Sequence, residues 1–188
     1  MSASNKYRRV SPAALVLLAS YIGCQDGSAP SEPFVLDGSG KPAGIPDPYA
    51  HSASRFGIVP LHAGFSPDPR VVGGTAIGEV PADSIHRKCP GWISANPDYL
   101  LHADTAFFRL YVLGRSSSAV RLVLRKPDGS VICNNGGGKK DFMIRSNFSI
   151  GTTQVWVGVT EKGATADYRL GFSEVKSRPS SIRFPGDD

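Results

Sequence analysis

Three cysteines, Cys24, Cys89 and Cys133, offer the sharpest chemistry in this sequence of 188 residues. An odd count in a protein outside the cytoplasm leaves one thiol to be explained. Cys89 and Cys133 can bond to each other, bind a metal or supply a nucleophile. His86 lies three residues before Cys89, but no CxxC pair accompanies it, and a zinc site lacks its fourth ligand. No metal and no cofactor are expected. In an oxidising compartment a bond between Cys89 and Cys133 would close a loop of ~45 residues and contribute ~4 kcal/mol in the chain-entropy account. That bond is the expectation.

The remaining candidates are weaker. His102 and Asp104 stand two apart, so on a strand they share a side and the carboxylate could orient the imidazole. A general base still needs a nucleophile within reach, and the sequence nominates none. Trp156 and Tyr111 fall opposite the apolar residues of their segments, which makes them candidates for a stacking platform toward a sugar, against the commoner role of packing. Lys139 and Lys140, on a glycine-rich loop, are candidates for contact with an anionic lipid or polysaccharide, against the plain reading of a solvated loop tip.

The formal charge of +5 suggests nucleic acid, but its distribution argues otherwise. Lys6, Arg8 and Arg9 all precede residue 24, and without them 18 basic residues face 16 acidic ones. No stripe of arginines interleaved with aromatics remains to follow a phosphate backbone. Nucleic acid is not expected as a partner.

Residues 1–10 are polar and basic, and Pro12–Ile22 is an apolar run too short to span a bilayer. Gly23 then supplies a small residue directly before Cys24. Tyr21-Ile22-Gly23-Cys24 resembles the lipobox of bacterial lipoproteins, although Leu is usual where Tyr21 stands and a small residue is commoner where Ile22 stands. The resemblance implies that residues 1–23 are a signal peptide and that Cys24 is lipidated and becomes the mature N-terminus. Acyl chains contribute ~0.8 kcal/mol per buried methylene, so such an anchor holds firmly to a membrane. Gln25 after the cysteine points to the outer membrane. An ordinary signal-peptidase cut would instead leave a secreted or periplasmic protein.

These residues require elements to carry them. Residues 24–69 hold scattered prolines among Ser, Gly and Asp with no sustained periodicity, and are read as a tether spanning ~35 Å as a flexible chain. Two apolar runs, Phe34–Leu36 and Phe56–Val59, are the places where it could dock on the domain as a stray strand. From 70 to 176 short alternating runs separated by turns predict an all-β domain, a single jelly-roll-like antiparallel sandwich. Phe108, Leu110 and Val112 are expected on one face. Val120, Leu122 and Leu124 alternate likewise, as do Val155, Val157 and Val159, and Tyr168, Leu170 and Phe172. Pro127-Asp128-Gly129 supplies a hairpin turn. Residues 177–188 are left as a C-terminal tail.

Cys89-Pro-Gly-Trp-Ile-Ser-Ala-Asn-Pro-Asp98, Lys126-Pro-Asp-Gly-Ser-Val-Ile-Cys-Asn134, Gln154-Val-Trp-Val-Gly158 and Tyr168-Arg-Leu170 occur in that order. Together they resemble bacterial β-sandwich modules related to the pre-peptidase C-terminal domain, over roughly residues 70–175. The resemblance implies a sandwich without catalysis of its own. Some relatives bind calcium through paired acids after the second cysteine. Here Asn134-Asn135-Gly-Gly-Gly-Lys139-Lys140 puts opposite charge in that place, so a metal is not expected.

Arg70-Val-Val-Gly-Gly74 resembles the activation site of trypsin-like proteases, but no triad segment follows. It is read as a loop entering a first strand near Thr75–Val80. The expected function is that of an exported lipoprotein with a non-catalytic binding or assembly module, its partners the membrane through the anchor and either cell-wall polysaccharide or another envelope protein. The alternatives are an accessory protein binding polysaccharide or peptidoglycan, and an enzyme with an unrecognised site.

Overall fold

A computed structural model describes residues 52–134 and 139–183. The alternating runs become eleven strands: β1 (Ile58–Leu61), β2 (Arg70–Ile77), β3 (Val80–Pro81), β4 (Trp92–Ile93), β5 (Tyr99–Ala103), β6 (Phe107–Ser116), β7 (Val120–Arg125), β8 (Val131–Cys133), β9 (Asp141–Phe148), β10 (Gly151–Val159) and β11 (Thr165–Ser173). The second sheet runs β2-β11-β6-β9. The first is built on β10, which pairs with β5 and β4 along one side and β7 along the other, with β1, β3 and β8 outermost. All pairs are antiparallel except β1 with β5. Among the described residues no helix is long and apolar enough to cross a membrane.

The chain folds as an all-β sandwich because side chains two apart on a strand share a face, and each sheet has one apolar face to hide. Val155, Val157 and Val159 of β10 meet Leu122 and Leu124 of β7 on the inner side, opposite Leu170 and Phe172 of β11 and Phe142 and Ile144 of β9. The expected alternation holds in β7, β10 and β11.

It fails at the start of β6. Phe107 pairs with Phe148 and Leu110 with Ser146, so three steps along β6 match two along β9. This bulge inserts one residue and shifts the side-chain phase. Phe107, not Phe108, takes the core position at 3% exposure, while Phe108 is 82% exposed. Leu110 and Val112 are in the core as expected.

Three boundaries also move. The domain does not begin at residue 70, because Ser52–Pro69, read as the end of the tether, lies against it. Ile58–Leu61 pairs with Leu100–Ala103 as a parallel edge strand, and Val59, Leu61 and Phe65 are in the core. Arg70–Gly74 is part of β2 itself, paired with Tyr168–Phe172, and not a loop before it. The C-terminal tail is partly folded: a 3-10 turn, Pro179–Ser181, seats Ile182 against Tyr111 and Leu113.

Both outer faces are therefore covered in part. On the second sheet Ile182 does this. On the first the segment Ala82–Ile93 folds back over Val123 and Trp156. Gly158 permits that close approach, since a Cβ there would stand 2.4 Å from the Trp92 carbonyl oxygen. Cys89 and Cys133 are joined, with Cα atoms 5.6 Å apart, and the bond fastens this segment to β8.

Candidate binding surface at the bulged end

The bulge creates the most unusual surface of the domain. Because β6 carries one residue more than β9 between Phe107 and Leu110, Phe108 and Arg109 both face water. Phe107 turns inward and meets Phe65 edge-on, with ring centroids 6.3 Å apart. Alongside, β9 ends at Phe148 and the chain reverses through Ser149 and Ile150 into β10. Gly151 closes this turn at φ +120°, a conformation that side chains resist. The turn holds Ile150 out at 41% exposure. Lys126 from the neighbouring turn donates to Ser146 Oγ at 2.8 Å, and its ammonium lies 5.4 Å from the Phe148 ring.

Two open clefts adjoin there. One, of about 290 Å³, lies between Phe108, Arg109, Arg145 and Asn147. The other, of about 600 Å³, runs from Phe108 past Asn147 to Ile150. The lining contains two guanidinium groups and no carboxylate. Cations beside exposed apolar side chains suit a ligand that combines negative charge with an apolar body. No serine, threonine or cysteine hydroxyl or thiol of this lining has an imidazole or carboxylate in it as a base.

The opposite end holds a buried polar cluster. Asp98 is wholly buried, and its Oδ2 accepts from the Val157 backbone N–H at 2.6 Å. Its Oδ1 accepts from Arg55 Nη1 at 2.5 Å, and the same guanidinium nitrogen donates to the Thr75 carbonyl at 2.9 Å. Burial pushes the Asp98 carboxyl up to about 6, against the Val157 N–H and the Arg55 charge, which favour the ionised form. The Tyr99 hydroxyl donates to the Gly73 carbonyl, and burial raises its pKa as well. Tyr168 Oη is buried without a hydrogen-bond partner, and burial raises that phenol strongly. Arg55 and Asp98 thus pin the entering chain to β10. These contacts give the cluster a structural role.

No family model and no curated protein matches this chain. The chain is similar to a pre-peptidase C-terminal domain. That structure is the crystal structure of the domain from a Bacillus anthracis collagenase, at 12% identity and a TM-score of 0.42. The likeness covers 64% of this chain and 97% of that one.

Apart from the bonded Cys89 and Cys133, the described residues singled out from the sequence are not brought together. Trp156 and Tyr111 do point away from the main core, but they are buried, at 2% and 5% exposure. Facing outward exposes a side chain only where nothing lies over the sheet. Trp156 packs under Cys89 and Ile93, and Tyr111 beside Ile182, so neither offers a stacking platform. Lys139 and Lys140 are exposed, next to residues 135–138, which are outside the described residues. Cys24 lies outside them too. His102 Nδ1 is 3.1 Å from Thr152 Oγ1, and its side chain is exposed beside Ile58. The reading from sequence missed Phe108, Arg109 and Arg145 as a site, because only the bulge brings the first two out together.

Proposed function

We propose that the chain is an exported lipoprotein, anchored through Cys24, whose β-sandwich acts by binding or assembly and not by catalysis. One observation carries the reading. Cys89 and Cys133 are bonded to each other, so Cys24 is the odd cysteine, and it stands directly after a basic segment, an apolar run and Gly23. Lipidation accounts for a thiol in that setting, and export accounts for the bond.

Metabolic labelling with radioactive palmitate tests it. Label is expected on the wild-type chain and absent from Cys24→Ser. An unlabelled wild-type chain that stays uncut inside the cell would refute the reading. Attachment to polysaccharide is the second reading, but its proposed aromatic platform at Trp156 and Tyr111 is buried, so any such ligand must use other residues.

A further inference from the structure

We infer that the bulged end of the sandwich docks on an anionic lipid surface. Phe108 and Ile150 enter the boundary between headgroups and acyl chains, and Arg109 and Arg145 meet lipid phosphates. The inference rests on the anchored reading for the presence of a membrane and goes beyond it by assigning the face that touches the bilayer.

Folding supplies no reason for these side chains. The bulge already places Phe107 in the core, and a polar residue at 108 would leave that packing intact. Tight turns between strands favour Gly, Asn and Asp, yet Ile150 occupies this one. The result is an apolar pair, at 82% and 41% exposure, along one continuous cleft. Exposed apolar groups edged by cations are how proteins lie in a membrane interface.

The charge fits as well. Among the described residues the ion pairs are Arg55–Asp98 and Arg115–Asp141, so Arg109 and Arg145 keep their charge for a ligand. The nearby carboxylates Asp104, Asp128 and Glu174 line neither cleft; Asp128 Oδ1 accepts from the Ser130 hydroxyl at 2.6 Å, and Glu174, which follows the β11 residue paired with Tyr111, accepts from the Gly64 N–H at 2.6 Å. A sugar polymer would seek flat ring faces with a hydrogen-bonding rim. Phe108 is the single exposed ring of this lining, and Ile150 beside it offers no ring face to extend a stack. Between Cys24 and Ser52 the chain can extend to roughly 95 Å at most, so its length lets any face of the domain reach the bilayer.

The test uses the chain from Gln25 to Asp188 without its lipid. It retains the whole described core, which runs from Val59 to Ile182, and the disulfide. Cosedimentation is measured with mixed phosphatidylglycerol–phosphatidylcholine vesicles and with phosphatidylcholine alone. Binding is expected to the mixed vesicles and to weaken with salt. The Arg109→Gln/Arg145→Gln variant should lose about fivefold per arginine, and Phe108→Ser/Ile150→Ser about tenfold.

A Phe108→Trp variant gives a second readout that does not depend on removing an apolar group. Its emission should shift to the blue on mixed vesicles. Failure of the wild-type chain to sediment, equal binding by all variants, or unshifted emission would each overturn the docking. So would variants that bind vesicles normally but lose binding to insoluble peptidoglycan. Because this chain carries no acyl group, a negative result leaves the Cys24 reading to the palmitate experiment.

Discussion

Asp98 shows how a buried charge can be held and still be costly. It lies wholly inside the protein, with one oxygen on the Val157 N–H and the other on Arg55. Its pKa rises from an ordinary 3.8 to about 6 because desolvation outweighs both partners. The folded state therefore binds a proton that the unfolded state has already released between about pH 4 and 6. The stability this contributes is complete below the unfolded value and is lost as pH rises through the folded one. Urea unfolding of the wild type and Asp98→Asn, compared from pH 4 to 7, should show the wild type losing about 2 kcal/mol relative to the variant over that interval. A constant difference across this range would contradict the assignment.

Among the elements, the segment Ala82–Ile93 depends on the disulfide more than any strand does. Its own apolar contacts are few, and the bond from Cys89 to Cys133 ties it to β8 across 44 residues of sequence. The Cys89→Ser/Cys133→Ser variant should lose about 4 kcal/mol and expose Trp156, read as a red shift of tryptophan emission with a lower melting temperature. The same segment marks what the sequence made legible. Val155, Val157 and Val159 could be assigned to the core because alternation is local and needs only a strand. That Trp156, on the other face, is also buried depends on a covering layer brought from some seventy residues earlier in the chain. No period records that. Alternation misplaces Phe108 for a related reason: the extra residue of the bulge is defined by its partner strand and leaves no trace in the hydrophobic pattern of β6. The prolines and glycines of Ser52–Pro69 resemble a linker, whereas its docking is decided by the open side of β5.

At the scale of the molecule, the folded unit is longer than the strand-rich region suggests. A chain beginning at Arg70 would lose Val59, Leu61 and Phe65 from the core, about 6 kcal/mol of burial, and would leave Asp98 without Arg55. That approaches the whole stability of an ordinary domain. Cooperative thermal unfolding is expected for a chain starting at Gly44 and not for one starting at Arg70. The order of contacts along this entry has a mechanical meaning. A pull applied through the N-terminal segment reaches the hydrogen bond from Gln154 to the Ser52 hydroxyl, then Arg55 and its buried carboxylate, and next the four residues of β1. Tension from that side would strip this single parallel ribbon from β5 before it strained the strands behind it, so the edge of the first sheet would act as a sacrificial link for any load arriving through the N-terminal segment.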